Sequence, residues 1–495
     1  MPAHSPKSIL TRRSFVALGG LVLLPGRAVA QPSEPALERL VRVASPRIEE
    51  LEKWVTGAGG KLRMAVADAQ SGAELIALDA STPENPASNQ KLVTAGAALH
   101  YLGAQFRYRT GLYGKLEGAR VPRLVLRGEG DPSLSSKDLE GMVKALSARG
   151  VREVGDILVD QSAFDDSFVP PAFEQQPSEW AAFRAPISAV AIDGNATTFC
   201  VRATKAGEPA KVWFEPAGFV EIEGDIATAA ADKKTVPHVT LRGSGRKLAA
   251  KVSGAVPEGS GSVRWRQRVE DPRWYAGYVL KKLCEARGIS VKGGVDLGGE
   301  GELNELASYD SKPLAELLQQ LGKKSDNFYS EMLLKTVGYK LKGKPGKSAG
   351  GAEAAVAWLK QIGAWEPGTK ISNGSGLYDA NRLSPRTLTR LLNYTLNDSR
   401  LSPDFLAQLA VGGIDGTLAA RFYTLKAQRS VLAKTGTLRR IVSLGGYVFG
   451  PERSTAVSFS FIVSDVIGRQ GEARQKIDKV VEAMAQSLWK PSQAV

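Results

Sequence analysis

The two ends of the chain carry matching parts, and this pairing limits the folds open to it. Residues 34 to 58 have helical spacing, with Leu37, Leu40, Val41, Ile48, Leu51 and Val55 as apolar positions and Pro46 predicted to break the run in two. The segment RMAVADAQSGAELIAL reads as strand, turn at Ser71-Gly72, strand. At the far end, IVSLGGYVFGPERSTAVSFSFIVS reads as two strands joined at Gly450-Pro451. A last helix over 471 to 489 sets Ile477, Val480, Val481, Met484 and Leu488 on one face. The assembly this favours is one antiparallel sheet packed by the terminal helices.

The middle differs. Between about 100 and 300 there are many short strand-like runs, among them RLVLRG, GDILVD, KVWFEP and HVTLRG, separated by Gly and Pro. Residues 205 to 258 are the richest in such runs, and GAVPEGSGS (254–262) reads as a flexible connection. This is an inserted region holding a small β subdomain. Helical spacing returns near 312, on both sides of Ser325. SNGSGLYDAN (372–381) is a glycine-rich loop, and a helix follows with Ser384 as cap and Pro385 in its first turn.

A length of 495 residues suggests about three domains. Residues 1 to 30 read as an export signal: Arg12-Arg13, the short apolar run SFVALGGLVLL, and AVA before Gln31. TRRSFV is similar to the twin-arginine consensus. No later stretch reaches membrane-spanning length, so the mature protein is expected to touch a membrane at most peripherally. Of the net charge of +14, four positive charges lie in that leader, which leaves about +10. The charges are dispersed and no nucleic-acid motif is present, so anionic envelope polymers are the expected partners of an exported chain. Cys200 lies in a strand-like run and Cys284 in a helix-like one, and both a bridge and two buried thiols are open. No metal-ligand spacing appears. Only His100 and His238 remain after the leader, so a Ser-His-Asp triad or a zinc site is poorly supplied. A serine hydrolase built from this chain would most easily use a lysine base.

PENPASNQKLVTAGAALHYLG (83–103) offers one. Ser88 and Lys91, three residues apart, share one side of a predicted helix that Pro86 would start and Leu92, Ala95, Ala98 and Leu99 would bury. Desolvation one turn into the helix would lower the lysine's proton affinity. The S-x-x-K pattern alone is weak, because Ser244/Lys247 and Ser487/Lys490 match it too. Two further motifs select Ser88: Ser325-Asp326-Asn327 in a break between helical runs, and Lys434-Thr435-Gly436 in a strand candidate beside the last two strands. S-x-x-K, S-D-N and K-T-G in this order mark penicillin-interacting serine acyl-enzymes.

With PASNQKL, LRGEGDPSLS, GDILVDQSAFD, SDNFYSEMLLK, GSGL and AKTGTL, the chain resembles the class C low-molecular-mass penicillin-binding proteins, the D-alanyl-D-alanine carboxypeptidase/endopeptidase family, over nearly its whole mature length. The resemblance implies an α/β fold. A penicillin-binding protein/β-lactamase-like domain, its antiparallel sheet flanked by helices, would occupy 31–98 and 305–495. An inserted domain would occupy 99–204 and 259–304, with a β-rich subdomain nested at 205–258. Ser325 follows Ser88 by 237 residues, a gap that class A β-lactamases lack. It also implies roles. Ser88 attacks the bond between two D-alanines, Lys91 accepts its proton, kept neutral by burial and by Lys434, and Ser325 relays the proton. Asn327 holds Lys91 and the substrate amide. Lys434, Thr435 and Thr437 receive the terminal carboxylate, and the backbone N–H groups of Ser88 and Thr437 form the oxyanion hole. Gly436 keeps side-chain bulk from the substrate. Peptidoglycan peptides and β-lactams are the implied partners, and no cofactor is implied.

Departures from the family pattern D-G-S-G-L-S-R concern the side-chain pocket. Asn373 replaces the Asp, and Asp379 stands where an arginine often contacts a diaminopimelate carboxylate. Arg439 is expected to take over that contact, with Asp379 or Asp160 receiving an amine, and Asp160 and Phe164 match insertion residues that approach the pocket. Two other readings remain open: a β-lactamase, which needs a deacylating base the sequence does not display, and a non-catalytic peptidoglycan-binding protein, which need not keep all three motifs.

Overall fold

The computed structural model describes residues 35–489, apart from 300, 302, 424, 426–428 and 453–454; the leader read over 1–30 lies outside the described residues. The two chain ends meet in one antiparallel sheet. Its strand order is Ala410–Val411, Val431–Thr437, Ile441–Val448, Val457–Ser464, Lys61–Asp68, Glu74–Leu78. Lys61–Asp68 pairs with Val457–Ser464 from Lys61↔Ser464 to Asp68↔Val457.

Alternation along VSFSFIVS decides what each face meets. Val457, Phe459, Phe461 and Val463 pack with Leu40, Leu51, Val55, Ile477 and Val481 of the terminal helices. Ile462 faces the opposite layer with Leu92, Ala95 and Leu99 of the Gln90–Leu102 helix. The first helix, Ala36–Gly57, runs unbroken through Pro46, against the expectation of a break. Arg42 and Pro46 both lie on its exposed side, where water can replace the missing backbone bond. An interior proline costs about 3 kcal/mol. Burying Leu40, Ile48, Leu51 and Val55, each at most 1% exposed, returns roughly 1.5–3 kcal/mol apiece.

The inserted region has its own mixed sheet. Arg120–Arg127 and Glu153–Asp160 run parallel, as their crossover helix Ser136–Ala148 requires. Ser135 and Asp138 cap that helix reciprocally. Asn304–Asp310 pairs with Arg109–Gly114 in the same sheet, so the chain leaves it after 310 rather than at 305. Pro237–Ser244, Lys247–Pro257, Val220–Glu223 and Ala227–Ala229 make the small β unit. Lys211–Glu215 does not belong to it and pairs with Ala196–Arg202. Cys200 and Cys284 are both buried free thiols. Among the described residues no helix is long and apolar enough to cross a membrane.

The insertion is anchored on the Asn327–Lys342 helix. Ala163, Phe164, Ala185 and Ile187 share a core with Phe328 and Met332. The fully buried Lys335 ammonium pairs with Asp165 at 2.5 Å and donates to the Ser167 carbonyl at 2.9 Å.

Candidate active site

Ser88 sits in a short 3-10 turn, Ala87–Asn89, that runs into the Gln90–Leu102 helix. The regular helix therefore begins two residues after the serine. The turn is held from three sides. Asn85 Oδ1 accepts from the Ala87 N–H at 2.9 Å, the Ser443 hydroxyl donates to the Pro86 carbonyl at 2.8 Å, and Gly376 lies so close that a Cβ there would come within 1.8 Å of the Ala87 carbonyl. Ala87 is kept at φ 47°, a left-handed conformation that a non-glycine residue holds only under such constraint.

Lys91, one turn on, is wholly buried. Its Nζ lies 3.0 Å from Ser88 Oγ, 2.8 Å from Asn327 Oδ1 and 2.8 Å from the Ser375 carbonyl. Desolvation lowers its pKa to about 7, against the opposing pull of Glu331 and Asp326. Lys434 is equally buried, and its pKa falls well below the usual lysine range, first by desolvation and then by repulsion from Lys91. Its Nζ donates to Ser325 Oγ at 2.7 Å and to the Thr435 carbonyl at 2.8 Å. Two amines buried this deeply disfavour a second proton once one is bound.

The S-D-N segment forms the start of the Asn327–Lys342 helix. Asp326 is the N-cap, accepting from the Tyr329 N–H at 3.2 Å, and Ser325 just before it is at φ 58°. Asn327 uses both ends of its amide: Oδ1 meets Lys91, and Nδ2 donates to the Phe183 carbonyl of the insertion at 3.0 Å. A cavity of about 400 Å³ beside it is lined by Ser325, Asn327, Ser133, Phe183, Asp193 and Arg266.

On the other wall, Thr435 Oγ1 donates to Thr417 Oγ1 at 2.9 Å, and Thr437 is exposed. A Cβ at Gly436 would lie 2.1 Å from Ser443 Oγ, 3.0 Å from the Ser88 nitrogen and 3.1 Å from Ala87 Cβ. The glycine thus lets this strand close on the nucleophile turn.

Five predicted residues converge: Ser88, Lys91, Ser325, Asn327 and Lys434. Asp160 and Phe164 do not join them. Asp160 pairs with Arg127 at 2.6 Å, and with Phe164 it lines a separate cavity of about 1060 Å³ that includes none of those five. Asp379 pairs with Arg382 at 2.6 Å. Each carboxylate expected to receive an amine has a guanidinium partner in this structure. Arg439 is exposed, and its side chain has no ion-pair partner among the described residues. Asn373 has a local reason: its Nδ2 donates to the Pro171 carbonyl at 3.0 Å and the Leu377 carbonyl at 3.1 Å, bonds an aspartate could not make.

Sequence reasoning missed Glu331, which is 1% exposed and accepts from the Gly374 and Ser375 N–H groups. The available signal was its spacing, four residues after Asn327 on one helix face. Among the described residues, no group of three or more His, Cys, Asp or Glu could hold a metal ion.

Comparison with known proteins gives one family. The family model described as "D-Ala-D-Ala carboxypeptidase 3 (S13) family" matches residues 51–487. A D-alanyl-D-alanine carboxypeptidase of Actinomadura sp. (strain R39) is 32% identical, with 92% of this chain and 90% of the relative covered. The D-alanyl-D-alanine carboxypeptidase DacB of Haemophilus influenzae is 27% identical, covering 76% of this chain and 80% of the relative. The crystal structure of penicillin binding protein 4 from Haemophilus influenzae has the same fold, with TM-score 0.74, 24% identity, and coverage of 90% of this chain and 99% of that one.

Proposed function

The chain belongs to the D-Ala-D-Ala carboxypeptidase 3 (S13) family, and on that premise we propose that Ser88 is the nucleophile of a serine acyl-enzyme cycle in which Lys91 is the general base. The observation that carries this reading is the set of three contacts around Lys91 Nζ. Asn327 Oδ1 and the Ser375 carbonyl can only accept. They take the two N–H bonds of a neutral amine, and its lone pair is left for the Ser88 hydroxyl at 3.0 Å. A pKa of about 7 keeps that neutral form populated.

The cycle follows. Ser88 Oγ attacks the carbonyl carbon of the penultimate D-alanine while its proton passes to Lys91 Nζ. The negative oxygen that develops is received by the backbone N–H groups of Ser88 and Thr437. Collapse breaks the C–N bond. The proton taken from Ser88 goes on to the leaving amine through Ser325. That hydroxyl gives one proton to the nitrogen and receives one from Lys434 at 2.7 Å; Lys434 is recharged by Lys91, which ends neutral. Water then attacks the ester and gives its proton to the neutral Lys91. The ester C–O bond breaks as Lys91 returns that proton to Ser88 Oγ, which frees the acyl group as its acid and regenerates Ser88. Lys434, Thr435 and Thr437 hold the terminal carboxylate. A β-lactam presents the same acyl group and forms the same ester, which lasts longer. Arg439, exposed at the strand end, is free to meet an anionic side chain such as that of diaminopimelate.

The setting is outside the cytoplasm, where peptidoglycan lies, and the Arg12-Arg13 leader supports export by the twin-arginine route. Action on cross-links as an endopeptidase uses the same chemistry. The β-lactamase reading gains no support from Glu331, whose two oxygens both accept from backbone N–H groups. Labelling with a fluorescent penicillin tests the proposal. Wild-type protein is expected to label and Ser88→Ala not to; a label that persists in Ser88→Ala overturns it.

A further inference from the structure

Asn327, Glu331 and Lys335 recur every four residues on the Asn327–Lys342 helix and lie along one face. Asn327 meets Lys91 and Lys335 anchors the insertion. Glu331, between them, has no part in the cycle above. It is 1% exposed, and its Oε2 and Oε1 accept separately from the Gly374 N–H at 3.0 Å and the Ser375 N–H at 2.8 Å. Both partners can only donate, which favours the ionised carboxylate; burial raises its pKa, and these bonds and the nearby Lys91 pull against that rise. The Ser375 residue so held is the one whose carbonyl receives Lys91 Nζ at 2.8 Å. Thr94, one turn beyond Lys91, donates to the Gly374 carbonyl at 2.7 Å and tethers the same backbone from the other side.

We propose that Glu331 is a positioning residue for the general base: it fixes the Gly374–Ser375 backbone so that the Ser375 carbonyl takes one Lys91 N–H and the amine's lone pair is directed at Ser88. This rests on the reading of Lys91 as base. A loop held for stability alone is poorly served by a buried carboxylate, because desolvation offsets most of what its hydrogen bonds return. The placement also has an electrostatic consequence. Glu331 and Asp326 face Lys91 as acids, and the buried Lys434 amine is the basic group that feels repulsion from it. Without Glu331 the ammonium form of Lys91 loses support.

The test is the rate of acylation by a fluorescent penicillin, measured across pH for wild type and Glu331→Gln, with thermal midpoints alongside. In Glu331→Gln one side-chain NH₂ opposes a backbone N–H, so the peptide shifts. The expected maximal rate falls roughly tenfold or more, since an ångström of misplacement can cost on the order of 10²-fold. The acid limb moves to lower pH, because the lysine loses a stabilising negative charge. A lower thermal midpoint with the maximal rate and acid limb both at wild-type values overturns the proposal, leaving Glu331 a purely structural residue. Thr94→Val loosens the same backbone without changing charge. It is expected to slow acylation and leave the limb in place; unchanged acylation in a folded Thr94→Val also overturns the proposal. Ser88→Ala keeps the two failures apart. If Ser88→Ala still labels, the nucleophile reading itself fails; if it does not label while Glu331→Gln behaves as wild type, only the positioning role fails.

Discussion

The side-chain nitrogen of Lys434 lies 2.7 Å from the hydroxyl oxygen of Ser325, and that serine is held at φ 58°. The hydroxyl is thereby set between a buried amine and the cleft, in a conformation that costs free energy to keep. Strain maintained at a residue with a buried lysine as partner favours function over packing as its reason.

Ser325→Ala should separate the two. Loss of the relay is expected to slow acylation by about 10²-fold or more, the usual range for a positioned proton donor. Alanine keeps the strained φ, whereas glycine has no penalty there. Ser325→Gly should therefore be more stable than Ser325→Ala by about 1 kcal/mol, with equally low activity. Denaturant midpoints and labelling rates on the same preparations check both halves.

The pH dependence follows from Lys91. Acylation needs the neutral amine, so the rate should rise as pH passes through about 7 and reach a plateau above it. Stability should move in the same direction. A lysine whose folded-state pKa is lowered to about 7 binds fewer protons when folded than when unfolded between there and its ordinary 10.5. Its burial penalty is thus complete below about 7 and fades as pH rises toward the unfolded value. Lys91→Met removes that penalty, so its thermal midpoint relative to wild type should be more favourable at acid than at alkaline pH. A difference independent of pH would show that the amine is not desolvated as described.

Much of this site was legible because its chemistry needs particular residue types in a fixed order. Ser88, Lys91, Ser325, Asn327 and Lys434 are the reacting and proton-holding groups, and no other types do that work at those places. The terminal sheet was legible for a different reason, the strict alternation in VSFSFIVS and the helical stripe from Ile477 to Leu488. What failed to show was tertiary pairing. Asp160 looked like a free acid until Arg127, from the neighbouring strand, came within 2.6 Å. Pro46 looked like a break because local propensity does not register the core beneath Leu40 and Leu51. For Glu331 the spacing from Asn327 marks a shared helix face but not its partners, which are backbone N–H groups 43 and 44 residues away that no side-chain pattern records.

Arg439 gives a prediction about substrate choice. It is an exposed guanidinium without an ion-pair partner among the described residues, two positions after Thr437. Arg439→Ala should raise KM for peptides with an anionic diaminopimelate side chain, with kcat little changed, because the lost contact is uniform binding. A simple D-Ala-D-Ala mimic should be affected much less. Equal effects on both substrates would remove Arg439 from the pocket.

Gly436→Ala tests how tightly the K-T-G strand must close on the nucleophile. The added Cβ would meet Ser443 Oγ at 2.1 Å, a contact that cannot stand, while the Ser88 nitrogen at 3.0 Å and Ala87 Cβ at 3.1 Å are only crowded. Overpacking of this kind costs about 1–3 kcal/mol. Ser443 has one way to yield, which is to rotate and abandon its hydrogen bond to the Pro86 carbonyl. That bond helps hold the Ala87–Asn89 turn, so relief of the clash loosens the nucleophile. Adding Ser443→Ala to Gly436→Ala should then recover part of the lost thermal stability, because the worst contact is gone. It should not recover acylation, because the crowding at the Ser88 nitrogen remains and the Pro86 tether is still absent. Recovery of both stability and labelling in the double variant would mean that the strand need not approach Ser88 this closely for the chemistry to run.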